Sequence, residues 1–249
     1  MNINSDINVL GSLLDFNLIA VLLNEKAHSI DSNETYQSHT SIKTIKSHKR
    51  FVSAINNTLL KFSNKNIKDL VQTVFENEGL SSSCYLLLFW NASVNNELLD
   101  YLNRNVYFPA LYSGRVSLKK DEIAACLKEL KQIEPDLQKW SDSTINTTAS
   151  KYLTLLKKFN LMEGSLEKII VTPYMGDKEI KLFVYWLLAV EDKPNLLENI
   201  WLQYCFLEKE TFTQQIMQKK FMKYFNLQYS GNNLKVEPTF SYKELYSEL

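Results

Sequence analysis

The clearest alternation of apolar and polar positions lies in residues 135–173. In residues 144–162 the apolar side chains recur every three or four positions, so they form one stripe along a helix. The members of this stripe are Ile145, Ala149, Tyr152, Leu153, Leu156 and Phe159. A short helix at residues 135–140 and a polar break at residues 141–143 come before it. The pattern therefore predicts two helices joined by a tight turn.

The sequence also indicates where the longer helix begins and ends. Ser141 or Ser143 can accept a hydrogen bond from a free backbone N–H at its N-terminus. A turn at residues 163–165 follows it, and residues 169–171 are typical of a β-strand, which Pro173 closes. This is the order of elements in a winged helix-turn-helix, whose second helix lies in the major groove of DNA. The other interpretation is a plain helical pair packed in a core.

The face opposite the apolar stripe is polar and contains no acid. It carries short hydrogen-bonding side chains near the N-terminus and lysines further along the helix. The N-terminal residues of a docked recognition helix meet DNA first, but Ser and Thr discriminate poorly between bases, and this helix has no arginine to read guanine. We therefore expect contacts mostly to phosphates, with weak sequence preference.

The three-four spacing of apolar residues recurs along most of the chain. It predicts helices at residues 9–24, 41–62, 66–76, 83–91, 95–104, 121–133, 181–190, 194–207 and 211–225. Near the C-terminus, residues 225–227 repeat the Phe-Asn-Leu of residues 159–161, and a turn, a strand at residues 234–238 and a proline follow. This repeat predicts a second wing-like hairpin, although coincidence explains it equally well, because helix–turn–strand junctions look alike.

These elements predict a mostly α fold with three domains. An N-terminal helical domain with a basic helix covers residues 1–112, and a winged helix-turn-helix-like domain covers residues 113–178. A C-terminal helical segment with a short β-hairpin covers residues 179–249.

Charge changes this picture only locally. The 249 residues include 28 basic and 28 acidic side chains, so the whole chain does not indicate a polyanion-binding protein. Residues 35–68, however, contain seven basic side chains and no acid. Such a run is usually a solvated helix face, and the other interpretation is an anion-binding surface.

The chain lacks the motifs of common enzymes and metal sites. It contains no Gly-rich phosphate loop, no Cys/His metal spacing and no Gly-x-Ser-x-Gly elbow. We therefore expect a protein without enzymatic activity, cofactor or metal. The three cysteines, Cys84, Cys126 and Cys205, lie far apart among apolar neighbours, which favours free thiols in a reducing cytoplasm. The longest apolar run, residues 85–90, is too short to span a bilayer, so we expect no membrane association.

One segment is distinctive enough to indicate a family. Residues 135–144 read Pro-x-apolar-x-x-Trp-Ser-x-Ser-Thr, which resembles the core of the BrxA family, the small accessory proteins of bacterial BREX phage-exclusion islands. The apolar helices near residues 9–24 and 86–88 also resemble that family, so the resemblance spans roughly residues 9–190. The basic helix departs from the family pattern, because relatives tend to carry several arginines there and this chain has only Arg50.

The resemblance implies a non-enzymatic component of a defence system that binds double-stranded DNA. Methylation and restriction would then belong to other BREX subunits: a methyltransferase, an ATPase and a phosphatase-like protein. Two alternatives stay open, a scaffold subunit that docks an acidic partner and a transcriptional regulator of the operon. The residues predicted to contact DNA are Lys43, Lys46, Lys49, Arg50, Arg115, Lys119, Ser143, Thr144, Asn146, Thr147, Lys151, Lys157 and Lys158.

Overall fold

The computed structural model describes residues 3–28, 42, 44–191 and 193–249, with residues 25–28 described by their backbone alone. The chain is mostly helical and carries small antiparallel hairpins, as predicted. The helices are α1 (Asp6–Leu10), α2 (Asn17–His28), α3 (Ile45–Ala54), α4 (Lys65–Glu78), α5 (Ser82–Asn95), α6 (Glu97–Leu102), α7 (Phe108–Tyr112), α8 (Lys120–Ile133), α9 (Pro135–Gln138), α10 (Asp142–Lys158), α11 (Asp177–Val190), α12 (Lys209–Ile216) and α13 (Leu245–Glu248). The strands are β1 (Met162–Glu163), β2 (Ile169–Ile170), β3 (Phe225–Ser230) and β4 (Asn233–Pro238).

The chain forms two compact units, each built from two stretches. The first unit comprises Met1–Lys61 and Leu88–Thr172, and the second comprises Phe62–Leu87 and Pro173–Leu249. The domain boundaries near residues 112 and 178 stay a prediction.

Helix α10 lies at the centre of the first unit and packs against α1 and α8. Every member of its predicted apolar stripe is buried. At the C-terminal end of the stripe, the ring of Phe159 lies 5.5 Å from that of Phe89 and 5.6 Å from that of Phe16. Because burying one large apolar side chain is worth about 1.5–3 kcal/mol, this stripe fixes which face of α10 turns outward.

Helix α10 ends at Lys158, four residues before the predicted end. Asn160 adopts a left-handed conformation with φ of 60°, which non-glycine residues other than Asn and Asp rarely tolerate. The N–H of Leu161 then donates to the carbonyl of Leu156 at 3.0 Å, and the N–H of Asn160 donates to that of Lys157 at 3.1 Å. These two bonds form a Schellman cap, so the chain leaves the helix and enters β1 directly.

The single helix predicted at residues 9–24 is wrong, because the structure has two helices, α1 and α2. The chain turns at Gly11, where a Cβ would lie only 2.4 Å from the carbonyl oxygen of Lys151 in α10. Only glycine permits this close approach. The carboxylate of Asp15 then accepts a hydrogen bond at 3.0 Å from the N–H of Asn17, where α2 begins.

The basic helix predicted at residues 41–62 is shorter than expected. Helix α3 begins after Thr44, whose hydroxyl accepts the N–H of Ser47 at 3.2 Å. It passes at Ile55 into a π-helical turn that ends at Leu59. Only Ala54 of α3 is buried, so most of this helix faces solvent.

In the second unit the helix predicted at residues 194–207 is wrong. Two short 3₁₀ turns, Leu196–Glu198 and Leu202–Cys205, take its place. The side chain of Asn195 accepts a hydrogen bond from the backbone N–H of Leu197 at 3.1 Å, and that of Asn199 accepts one from the N–H of Trp201 at 2.9 Å. Such bonds offer the backbone an alternative to helical hydrogen bonds.

The C-terminal hairpin is confirmed. Strands β3 and β4 pair from Phe225 opposite Pro238 to Ser230 opposite Asn233. Gly231 supplies the positive φ of 61° that a two-residue hairpin turn requires. The preceding helix is shorter than predicted, because α12 ends at Ile216 and a 3₁₀ turn covers Lys219–Phe221.

Candidate nucleic-acid interface

Helix α10 presents one polar stripe to solvent. Its members are spaced by three or four residues and are exposed or half-buried: Ser143, Asn146, Thr147, Ser150, Thr154 and Lys157. Ser141, not Ser143, caps the helix, because its hydroxyl accepts the N–H of Thr144 at 3.2 Å. The side chain of Ser143 is therefore left on the exposed stripe.

The polar groups of this stripe donate to carbonyls of their own helix. The amide of Asn146 donates to the carbonyl of Asp142 at 2.9 Å, and the hydroxyl of Ser150 donates to that of Asn146 at 3.0 Å. The hydroxyl of Thr154 likewise donates to the carbonyl of Ser150 at 2.9 Å. A hydroxyl rotates freely and keeps two acceptor lone pairs, so these groups can exchange such local bonds for bonds to a ligand.

Lys158 points inward, away from this stripe. Its ammonium donates to the carbonyls of Leu10, at 3.2 Å, and Leu13, and lies 5.9 Å from the centre of the Phe16 ring. Burial lowers the pKa of Lys158 to about 8, and the nearby positive charge of Lys151 contributes to this shift. This lysine therefore ties α10 to the end of α1 and to the segment that follows it, so it does not belong to the candidate interface.

Helix α1 lies between α10 and the basic helix α3. The amide of Asn8 in α1 donates to the hydroxyl of Thr148 in α10 at 3.1 Å. On its other side, Asn8 lines a small cleft of about 70 Å³ together with Ser12, which follows α1, and Arg50 of α3. The basic face of α3 and the Lys151 edge of α10 are thus neighbours across α1.

The described basic side chains of α3 are exposed and carry no counter-charge. Lys46, Lys49 and Arg50 form no ion pair with any acid in the described part of the chain. Lys43, which belongs to the same predicted set, lies outside the described residues.

Arg115 is paired with an acid. One of its guanidinium nitrogens lies 2.5 Å from Oε1 of Glu122, and Oε2 of Glu122 accepts the backbone N–H of Lys119 at 2.8 Å. Burial alone would raise the pKa of the Glu122 carboxyl, but these hydrogen bonds and charges outweigh it and hold the pKa below its usual value. The ammonium of Lys119 stays exposed at the start of α8, whereas the charge of Arg115 is largely compensated.

A groove of about 710 Å³ flanks the α10 stripe on the side away from α1. Ser150 and Thr154 line it from α10, and Lys119 and Lys120 line it from the start of α8. The turn between β1 and β2 closes it, and Lys168 of this turn is absent from the predicted set because no helical or strand periodicity marks it. Acids are also present, since Asp121 and Glu167 line the same groove.

Helix α8, the short helix α9 and α10 are followed by β1 and β2, and all five belong to one unit. Glu163 pairs with Ile169 in the β1–β2 hairpin, and Ser117, which precedes α8, forms an isolated bridge to the same Ile169. The ammonium of Lys131 in α8 donates to the carbonyl of Trp140 at 2.6 Å and so fixes the turn before α10.

Within the described residues, no group of three or more His, Cys, Asp or Glu side chains is placed to hold a metal ion. None of the described helices has the length and apolar character needed to cross a membrane.

Comparison with known proteins identifies a matching family. The family model named BrxA matches residues 12–184, more than half of the chain. No curated protein and no solved structure matches it.

Proposed function

The chain belongs to the BrxA family, and from this premise we propose that it is the double-stranded DNA-binding component of a BREX phage-defence system. One observation carries the proposal: α8, α9, α10, β1 and β2 follow one another in the order of a winged helix-turn-helix, and a polar stripe of α10 that contains no acid from Ser143 to Lys157 faces solvent. In this assignment α10 is the recognition helix and the β1–β2 hairpin is the wing.

Phosphate contacts supply most of the affinity in this proposal. Lys46, Lys49 and Arg50 on α3 and Lys119 beside α10 are exposed cations on the same unit. Lysine meets a phosphate as a point charge, whereas arginine can form a bidentate fork. A mainly lysine surface therefore binds DNA without fixing its register tightly.

Base recognition is weak in this proposal. The α10 stripe contains serine, threonine and lysine, and Asn146 is its one side chain that can pair bidentately with adenine. The chain should consequently bind many sequences with similar affinity.

We also propose that the chain performs no catalysis of its own and works in the cytoplasm beside the methyltransferase, ATPase and phosphatase-like subunits of the system. The thiols support this proposal, because burial raises the pKa of Cys84 to about 12 and also raises those of Cys126 and Cys205. Such thiols stay protonated at neutral pH and are poor nucleophiles.

A scaffold role is the second candidate. The acids Glu163 and Glu167 on the hairpin beside α10 favour it, since they would oppose phosphates and suit a protein partner. In that case α3 would dock an acidic surface of another subunit.

Binding at different salt concentrations separates the DNA-binding function from the scaffold role. Preference for one duplex sequence separates it from the regulator hypothesis. We expect the pure chain to bind random and operon-upstream duplexes alike in a fluorescence-anisotropy titration. The logarithm of the binding constant should fall with the logarithm of salt concentration, with a slope of about −0.9 per phosphate neutralised. Absence of binding at low salt would favour the scaffold, and a strong preference for the upstream duplex would favour the regulator.

A further inference from the structure

The turn between β1 and β2 projects an apolar side chain into solvent. Leu166 is fully exposed, at 100%, and is the most exposed large apolar side chain in the described part of the chain. Gly164 makes the turn tight, because its φ is 81° and a Cβ there would lie 2.1 Å from the carbonyl oxygen of Glu167. Any other residue at position 164 would open the turn.

Hydrogen bonds hold this turn on both sides. The ammonium groups of Lys157 and Lys168 both donate to the carbonyl of Gly164, at 3.0 and 3.2 Å. Lys168 also donates to the carbonyl of Ser165 at 2.7 Å, and its own carbonyl accepts the N–H of Leu118 at 3.0 Å. The backbone under Leu166 is therefore fixed.

Leu166 shares a surface with the proposed recognition helix. It lines the same groove as Ser150 and Thr154 of α10, and Lys157 of the α10 stripe bonds directly to its turn. A duplex that docks on the part of the stripe that lines this groove would contact Leu166. This step rests on the proposed function.

The side chains at the turn between β1 and β2 do not suit a phosphate contact. Leu166 carries no donor, and the exposed carboxylates of Glu163 and Glu167 flank the turn. An exposed apolar side chain can contact DNA by inserting between base pairs from the minor groove, which unstacks one step and bends the duplex. The ammonium groups of Lys157 and Lys168 at the base of the turn offset the two carboxylates.

We propose that Leu166 is a wedge that inserts into the minor groove beside the α10 site and bends the bound duplex. The fixed backbone matters here, because a mobile loop would have to be ordered on insertion and would gain little. Flexible TA and CA steps should be favoured at that position, since they are the easiest to unstack.

The test measures binding and bending on the same sample. A duplex of about 30 base pairs with central TA and CA steps carries a donor and an acceptor dye at its two ends, and anisotropy reports binding. We expect the wild-type complex to raise the energy-transfer efficiency, which corresponds to a bend of about 20–90°. Leu166→Ser should still bind but return the efficiency to that of the free duplex, and Leu166→Met should restore the bend.

Ile133→Ser is the matched control, because Ile133 is also a largely exposed aliphatic side chain but lies at the end of α8. It should bend DNA as the wild type does. A straight wild-type complex, or equal bending by Leu166→Ser, would overturn the wedge and leave the DNA-binding proposal standing. If anisotropy shows that the wild-type chain does not bind the duplex, both the wedge and the DNA-binding proposal would be overturned.

Discussion

At the scale of single residues, two lysines that are adjacent in sequence lie in different surroundings. Lys157 and Lys158 are adjacent, and the sequence predicts DNA contact for both. One position along a helix is a rotation of about 100°, so Lys157 stays on the exposed stripe while Lys158 turns toward α1. Helical periodicity alone cannot distinguish them, because the position of α1 depends on the close contact between Gly11 and α10.

Lys158 should leave a signature in the pH dependence of stability. Its pKa falls from 10.5 to about 8 on folding, so between these values the unfolded chain binds the proton more tightly. The contribution of Lys158 to the free energy of unfolding therefore rises as the pH increases through this window, and it is constant below it.

Lys158→Met should show a smaller rise in unfolding free energy between pH 8 and 10.5 than the wild type, as measured by urea denaturation. The Lys157→Met variant is the control and should keep the wild-type rise, because it leaves the ammonium of Lys158 and its contacts with Leu10 and Leu13 in place. Equal pH profiles for the wild type and Lys158→Met would show that the ammonium is not buried against α1.

At the scale of elements, the buried face of a helix could be predicted better than the residues at which the helix begins and ends. The apolar stripe of α10 is confirmed residue by residue, because three-four spacing reports directly on one buried face. The ends depend on single backbone conformations, such as the left-handed Asn160 that stops α10 and the contact at Gly11 that breaks the first helix. The groove beside α10 could not be predicted, since Lys120 and Lys168 meet there only through tertiary packing.

The element most easily tested is the basic helix α3. Lys46→Glu, Lys49→Glu and Arg50→Glu together should weaken duplex binding equally for all sequences, because phosphate contacts carry no sequence information. The salt slope should become shallower by about 0.9 for each phosphate that the variant no longer neutralises. Thermal stability should stay close to that of the wild type, because these side chains are exposed. Anisotropy titrations at several salt concentrations measure the affinity and the slope, and a thermal melt measures the stability.

A matched control separates a local contact from a general change of charge. Lys209→Glu, Lys219→Glu and Lys243→Glu change the net charge by the same amount on exposed positions of the second unit. This variant should bind nearly as well as the wild type. An equal decrease in affinity for both variants would mean that only net charge matters.

At the scale of the whole molecule, the candidate residues belong to one unit. All the described residues predicted to contact DNA lie in the first unit, although their sequence positions range from 46 to 158. The unit combines two distant stretches of chain, so sequence order alone separates α3 from α10, whereas α1 brings them together. The first unit is therefore the proposed DNA-binding part of the molecule.

The central claim is that the exposed stripe of α10 faces the duplex. It is tested most directly by the dissociation constant of a Ser150→Glu/Thr154→Glu variant, which places two carboxylates on that stripe. The control, Thr211→Glu/Ser230→Glu, adds the same charge to exposed positions of the second unit. We expect the affinity of the stripe variant to fall at least about tenfold, or 1.4 kcal/mol, while the control stays within about twofold of the wild type. Unchanged affinity of a folded stripe variant would contradict this claim and favour the scaffold role.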